Sequence, residues 1–261
     1  MRRSVTIAAA LTVMTFAATL ASAQISFPKT GYYVAMGDSV AAGTGAMPVT
    51  NGYAYQLYDH GVFGQKQAME FADVAVRGGR SWDFRDHQVA QVLCAEPAQR
   101  PTVVTITAGA NDFFRNDPDI LGIAARVVGG IDLLLNNDTT ASVPALDPVT
   151  LQPCRALTNV TILVSNYYSM PHPVPVVFDQ LDAALRGFDQ ALRYWLQFVS
   201  VPQSSRVAIV DLYSASLGRQ GLVTIERHLG YKAVFDFNIH PTNLGHAFIA
   251  AEFERVWNGL P

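Results

Sequence analysis

The segment TVVTITAGAND, residues 102–112, joins a run of β-branched residues to a polar turn. The run from Thr102 to Thr107 predicts a buried strand, and the glycine, asparagine and aspartate after it predict a tight turn at its carboxyl end. Helical periodicity then follows from about Ile120 to Leu135. A buried strand, a polar turn and a helix in that order indicate a βαβ unit and a mostly parallel sheet.

The same alternation recurs on both sides of this segment. The clearest helix is predicted from Val177 to Val199, where large apolar residues recur at steps of three and four, and a final helix from about Thr242 to Trp257. The stretch from Asn136 to Pro153 is rich in Asn, Asp, Thr and Pro and predicts a long surface excursion. The sequence therefore predicts an α/β fold with five strands: Tyr32 to Met36, Phe71 to Val76, Thr102 to Thr107, Val160 to Ser165 and Val207 to Asp211.

Composition limits the class of protein. The chain has 261 residues, of which 50% are hydrophobic and 15% charged, so it can bury a sizeable core in one domain or at most two. Its 18 basic and 21 acidic residues give a net charge of −3. Such a balance supplies no positive field for phosphate backbones, so we expect no nucleic-acid partner.

The N-terminus has the pattern of a secretory signal peptide. Two arginines follow Met1, an apolar run extends from Val5 to Leu20, and Ala21-Ser22-Ala23 provides the small residues that signal peptidase accepts. The alternative is an N-terminal membrane anchor, for which the run is only just long enough. We expect a signal peptide over residues 1–23 and one domain over residues 24–261, with 16 basic against 21 acidic residues and a net charge of −5. The product is then periplasmic or extracellular, without a membrane span.

Cys94 and Cys154 are the only cysteines. In an oxidising compartment, an even pair predicts a disulfide bond, and the alternative is two unrelated buried thiols. Neither cysteine lies near a histidine-based catalytic arrangement in the sequence, so we expect a structural role.

Four polar segments lie where ligands bind in parallel sheets, beyond the carboxyl ends of strands or before the last helix. A serine hydroxyl becomes an effective nucleophile when a histidine takes its proton, and the oxyanion that forms needs preorganised hydrogen-bond donors. The backbone N–H groups of Ser39 and Gly78 and the amide of Asn111 are candidate donors. The segments are Gly37-Asp38-Ser39, Arg77-Gly78-Gly79-Arg80, Gly109-Ala110-Asn111-Asp112 and His240-Pro241-Thr242.

These segments resemble the conserved blocks of the SGNH hydrolases, also called GDSL-type esterases and lipases, in order and spacing across most of residues 24–261. The resemblance implies that Ser39 is the nucleophile and His240 the general base, and that Ser39, Gly78 and Asn111 form the oxyanion hole. It also implies a three-layer α/β/α sandwich around a parallel five-stranded sheet. The matching blocks are Gly37-Asp38-Ser39, Asp73-x-Ala75-x-x-Gly78, Gly109-x-Asn111-Asp112 and His240-Pro241.

Two positions depart from the family pattern. The second block usually opens with asparagine, and Asp73 stands there, which we interpret as a change of hydrogen bonding at a strand end. The family usually places an aspartate three residues before the histidine to orient it, but that position is Phe237. The orienting group is then Asp236 in a shifted loop, Asn238 or a backbone carbonyl. We favour Asp236 or a carbonyl, and the sequence does not decide between these two.

Each candidate residue also has a purely structural interpretation. Ser39 and Asn111 are residue types that cap helices, and Gly78 is typical of a turn. Arg77 and Arg80 either attract an anionic substrate group or are simply solvated. His246 is expected to be structural. The remaining histidines lack metal-ligand spacing, so no metal and no cofactor are expected: His60, His87, His172 and His228.

These observations predict a secreted serine esterase that acts through an acyl-enzyme intermediate on a small-molecule or polysaccharide ester. One alternative is a polysaccharide deacetylase, which uses the same machinery on an acetyl group. Another is a catalytically silent protein of this fold that binds carbohydrate or lipid, which the atypical Phe237 favours. The aromatics at Tyr167-Tyr168 either line a substrate groove or pack in the core. The acyl chain length, the alcohol and the oligomeric state stay open.

Overall fold

The centre of the protein is a parallel sheet of five strands in the order β2-β1-β3-β4-β5. All five predicted strands are confirmed: β1 Gly31–Gly37, β2 Met69–Asp73, β3 Pro101–Thr107, β4 Thr161–Ser165 and β5 Arg206–Val210. A computed structural model describes residues 31–64, 69–96, 99–115, 117–137, 144–147, 150–169, 175–219, 222–223, 226–227, 237–238 and 240–260. The expected signal peptide, residues 1–23, lies outside them.

The second strand ends earlier than predicted. Its last residue is Asp73, but Val74 N–H donates to Ala35 O at 3.0 Å and Val76 N–H to Gly37 O at 3.0 Å. The chain thus continues to bond to β1 after the regular strand has ended, which keeps the following glycine turn close to the end of β1.

Helices cover both faces of the sheet, so the predicted three-layer sandwich is confirmed. On one face α1 packs against α7, and on the other α4 packs against α5 and α2. Among the described residues, no helix is both long and apolar enough to cross a bilayer. The helices are α1 Tyr53–Asp59, α2 Val89–Leu93 after a π-helical segment Asp83–Gln88, α3 Ala110–Phe114, α4 Ile120–Leu135, α5 Pro175–Leu196, α6 Leu212–Ser216 and α7 Asn243–Asn258.

The two long internal helices follow the predicted periodicity. In α4, Ile123, Val127 and Ile131 are fully buried, and the Asp119 side chain caps the helix by accepting from Gly122 N–H at 2.9 Å. In α5, Leu185, Phe188 and Leu192 are buried among the core residues. The α1, α2, α3 and α6 helices were not predicted, because five to seven residues are too few to show a helical period.

The predicted disulfide bond between Cys94 and Cys154 is present. It links the end of α2 to the segment after α4 across 60 residues, which stabilises the fold by about 4 kcal/mol in the chain-entropy model. The segment predicted as a surface excursion is anchored at its base, because Asn137 is buried and its amide donates to Cys154 O and accepts from Ala145 N–H. Farther out, Leu151 is exposed, as predicted.

Candidate active site

The candidate nucleophile lies two residues beyond the end of β1. Gly37 has a φ of +122°, and a Cβ atom there would lie 1.8 Å from Thr107 O on the neighbouring strand, so only glycine fits. The buried amide of Gln88 fixes this residue, since Oε1 accepts from Gly37 N–H at 2.6 Å and Nε2 donates to Gly37 O at 2.7 Å. Ser39 therefore follows a rigid strand end and is itself buried.

His240 reaches Ser39 from the opposite end of the chain. Its Nε2 atom lies 2.8 Å from Ser39 Oγ, a distance at which a neutral imidazole accepts the hydroxyl proton. Burial lowers the pKa of His240, and the positive charge of Arg77 lowers it further. The imidazole consequently stays neutral, and able to act as a base, at a lower pH than an exposed histidine.

Glycine allows the loop after the nucleophile to pack against His240. Gly45 has a φ of +94°, and a Cβ atom there would lie 2.3 Å from Pro241 O and 2.9 Å from His240 Cβ. Thr242 ends this stretch, where its N–H donates to Leu222 O at 2.9 Å and its side chain caps α7. The histidine is thus held between a glycine loop and the start of a helix.

The turn at Gly78 and Gly79 supplies the second candidate donor. Gly78 has a φ of +74°, and Gly79 N–H closes the turn onto Val76 O at 2.8 Å. Among the described residues, no acceptor bonds the N–H of Gly78 or of Ser39. Both donors are therefore available to an oxyanion, as an acyl-transfer site requires.

Asn111 lies in the first turn of α3 and contacts the same glycine turn. The helix is capped at Gly109, with a φ of +116°, and Asn111 does not cap it. Its Nδ2 atom donates one hydrogen to Gly79 O at 2.9 Å. Because an amide nitrogen carries two hydrogens, the second is unused by the described residues and completes the set of three donors.

A buried ionic cluster, which the sequence did not reveal, joins these two oxyanion segments. Asp112 is fully buried and accepts from Ser81 N–H and Ser81 Oγ, both at 2.8 Å. Arg126 donates through Nε to Ser81 Oγ at 2.7 Å and lies 3.5 Å from Asp112 Oδ1. The residue after Asn111 thus fixes the loop that follows Gly79.

A second buried contact, also missed, joins the nucleophile segment to the oxyanion segment. The Tyr167 hydroxyl donates to Asp38 Oδ2 at 2.5 Å and accepts from Ala110 N–H at 3.0 Å. Desolvation raises the pKa of Asp38 to about 6, although this hydrogen bond and others oppose the rise. Tyr167 and Tyr168 are both buried, so they pack in the core and do not line an open groove.

Comparison with known proteins identifies the family. The sequence model of the GDSL-like lipase/acylhydrolase family matches residues 35–248. The chain belongs to this family. No curated protein sequence is significantly similar to it.

Solved structures show the same fold at low sequence identity. A lipolytic G-D-S-L family protein from Veillonella parvula is 15% identical, with a TM-score of 0.54 over 88% of this chain and 100% of its own. A carbohydrate esterase family 3 protein from Talaromyces cellulolyticus is 15% identical, with a TM-score of 0.55 over 88% and 98%. An aryl esterase from M. smegmatis is 15% identical, with a TM-score of 0.54 over 89% and 100%.

The two departures from the GDSL pattern differ in what the structure reveals. Asp73 ends β2, and its carboxylate accepts from Ala75 N–H at 3.0 Å, which is the predicted local role. Phe237–Asn238 pairs with Glu226–Arg227 as a short antiparallel ribbon, β6 with β7. Asp236 lies outside the described residues, so the group that orients His240 stays open.

His246 has a structural role in this GDSL protein, as predicted. His246 is fully buried, its Nδ1 accepts from Tyr53 N–H at 3.2 Å and its Nε2 donates to Thr44 O at 3.0 Å. In the part of the chain that is described, no three His, Cys, Asp or Glu residues are grouped to hold a metal ion. His172 and His228 lie outside it.

Proposed function

We propose that the protein is a secreted serine esterase that hydrolyses carboxylic esters through an acyl-enzyme intermediate. The observation that carries the proposal is the 2.8 Å contact between His240 Nε2 and Ser39 Oγ. It is supported by the backbone N–H groups of Ser39 and Gly78 and by one amide hydrogen of Asn111, which have no acceptor among the described residues. Ester hydrolysis is also the chemistry named by the GDSL-like lipase/acylhydrolase family.

In the proposed reaction, His240 Nε2 takes the hydroxyl proton while Ser39 Oγ attacks the ester carbonyl carbon. The tetrahedral oxyanion accepts hydrogen bonds from the N–H groups of Ser39 and Gly78 and from the Asn111 amide. The intermediate collapses, the protonated His240 gives its proton to the leaving alcohol, and the acyl group stays on Ser39. Water then gives a proton to His240 and attacks the acyl carbon. The bond between this carbon and Ser39 Oγ breaks, Oγ takes the proton back from His240, and the acid is released.

The test is hydrolysis of p-nitrophenyl acetate, butyrate and palmitate by the wild type, Ser39→Ala and His240→Ala. Loss of the hydroxyl or its base should reduce kcat/KM at least about 1,000-fold, because these residues act as a unit. Ser214→Ala, an exposed serine on α6, is the matched control and should keep full activity. An organophosphonate probe should label Ser39 in the wild type, as peptide mass spectrometry would show.

The outcomes also separate the alternatives. Activity confined to acetate and to acetylated polysaccharide would favour the deacetylase. If no ester of any acyl chain length shows Ser39-dependent turnover and the protein binds carbohydrate or lipid, the result would support a catalytically silent binding protein.

Secretion is part of the proposal. The Arg2-Arg3 pair, the apolar run and Ala21-Ser22-Ala23 support it, and the Cys94–Cys154 disulfide is typical of an oxidising compartment. Expression of the full chain should yield a product outside the cytoplasm whose N-terminal residue is Gln24. A product that keeps residues 1–23 in the membrane fraction would instead support an anchor.

A further inference from the structure

Two arginines lie beside the turn that carries the proposed oxyanion donor Gly78. Arg115 directly follows the last residue of α3, the short helix that carries Asn111 in its first turn. Its Nη2 atom is 3.5 Å from Gly78 O and would lie 3.7 Å from a Cβ atom built on Gly78. The guanidinium therefore lies against the oxyanion turn.

Arg77 immediately precedes Gly78 and is exposed. Burial lowers the pKa of His240, and the positive charge of Arg77 adds to that shift. Burial raises the pKa of Asp73 to about 6 and also raises that of Tyr55, and the charge of Arg77 opposes both rises. Arg77 thus lies between β2 and Gly78 in the chain, and Arg115 contacts the same glycine turn from the end of α3.

Neither charge is neutralised by a close carboxylate of the described residues. In the described ranges, no Asp or Glu oxygen lies within 4 Å of Arg77 or Arg115, whereas Arg126 pairs with Asp117 at 2.9 Å. Asp73, whose pKa Arg77 affects, accepts from Ala75 N–H and is half-buried. The two guanidinium groups keep donors and charge for a ligand.

We propose that Arg77 and Arg115 form an anion subsite, so that the protein prefers esters whose acid or alcohol part carries a carboxylate. This inference rests on the proposed esterase function and specifies its substrate class. A guanidinium binds a carboxylate through a planar pair of donors. Because the protein as a whole is acidic, this local positive field favours an anionic ester at the site and not over the whole surface.

The test compares esters that differ in one charge. On the alcohol side the pair is 4-acetoxybenzoate and 4-acetoxybenzamide, and on the acid side it is monomethyl glutarate and methyl 4-carbamoylbutanoate. The wild type should prefer the carboxylate in at least one pair by about fivefold in kcat/KM at low ionic strength, as expected for a partly exposed ion pair. Addition of about 0.5 M NaCl should remove most of that preference.

Variants then assign the preference to the two arginines. Arg77→Gln and Arg115→Gln should each lower the carboxylate-to-amide ratio about threefold, and the double variant should abolish the preference. Arg115→Lys should keep part of it, because the charge remains while the planar pair of donors is lost. Assays at pH 8 keep His240 neutral in all variants, so changes in its pKa do not enter the ratio.

Arg255→Gln is the matched control. This exposed arginine lies twelve residues after the start of α7, about 18 Å along the helix, and should leave the ratio unchanged. A ratio near one in the wild type, or an equal change in Arg255→Gln, would overturn the subsite. Failure of the proposed esterase function can be distinguished from failure of the subsite, because the neutral esters would then also show no Ser39-dependent turnover.

Discussion

The two halves of the candidate site are built differently. Ser39, Gly78 and Asn111 follow β1, β2 and β3, three adjacent strands whose carboxyl ends meet at one edge of the sheet. Buried hydrogen bonds from Gln88, Asp112 and Tyr167 hold this nucleophile and oxyanion half. His240 instead comes from the C-terminal stretch, with Gly45 and the start of α7 as its described supports.

The difference shows which part of the fold fixes the positions of the candidate site residues. Parallel strands place their ends at fixed spacings, so the sheet brings three segments that are far apart in sequence together independently of His240. The histidine half depends on one loop that must approach that edge. Substitutions in the nucleophile and oxyanion half should therefore lower both stability and activity. Substitutions around the histidine should lower activity with little change in stability.

The largest effect is expected from Asp112→Ala. It leaves Ser81 N–H and the Arg126 guanidinium without their buried carboxylate partner, which should lower the free energy of unfolding by about 3–5 kcal/mol. Urea unfolding followed by circular dichroism measures the loss. Asp86→Ala, which removes the exposed ion pair with Arg85, should cost less than about 1 kcal/mol. Similar losses in both variants would show that the cluster does not hold the oxyanion half.

His246→Gln should change how stability depends on pH. Burial lowers the pKa of His246 to about 4 from an ordinary value of 6.5. Between these two pH values the histidine is protonated in the unfolded chain but neutral in the folded chain. The wild type should therefore lose about 3 kcal/mol relative to the variant between pH 6.5 and pH 4. Asp38 and Asp73 titrate in both proteins and cancel in the difference. A stability difference that stays constant over this pH range would contradict the assignment.

Tyr167→Phe should lower the free energy of unfolding by about 2 kcal/mol at pH 7.5, because the charged Asp38 and the Ala110 N–H each lose a buried partner. The hydrogen bond lowers the pKa of Asp38, so its removal raises that pKa above about 6. The destabilisation should then shrink at pH 5, where Asp38 is protonated. Unfolding measured at both pH values, with the exposed Tyr194→Phe as control, distinguishes this from a loss of packing.

The sequence predicted the parts of the molecule whose signals are local. Five buried strands and the helix Ile120–Leu135 follow from residue types and periodicity. The predicted positions after strand ends or before the last helix are those of Ser39, Gly78, Asn111 and His240. The buried contacts that fix them were missed. Tyr167 and Asp38 are 129 residues apart and Gln88 and Gly37 are 51 apart, so only the folded sheet brings these partners together.

The smallest effect is expected in the histidine half, from Asp236→Ala. A group that orients the histidine keeps it in the correct tautomer and stabilises the imidazolium, so its loss slows the reaction without abolishing it. Phe237 stands at the usual position of this group, so we expect the variant to keep at least a tenth of the wild-type kcat/KM, a cost below about 1.4 kcal/mol.

His240→Ala provides the scale for that experiment, and Asn238→Ala is the matched control, since Asn238 is the other side-chain candidate. If Asp236→Ala is as inactive as His240→Ala while its unfolding curve is unchanged, a full triad operates through a shifted loop. If neither Asp236→Ala nor Asn238→Ala slows the reaction, a backbone carbonyl orients the imidazole. In that case the histidine half works as a dyad, and the rigid nucleophile and oxyanion half provides most of the transition-state stabilisation.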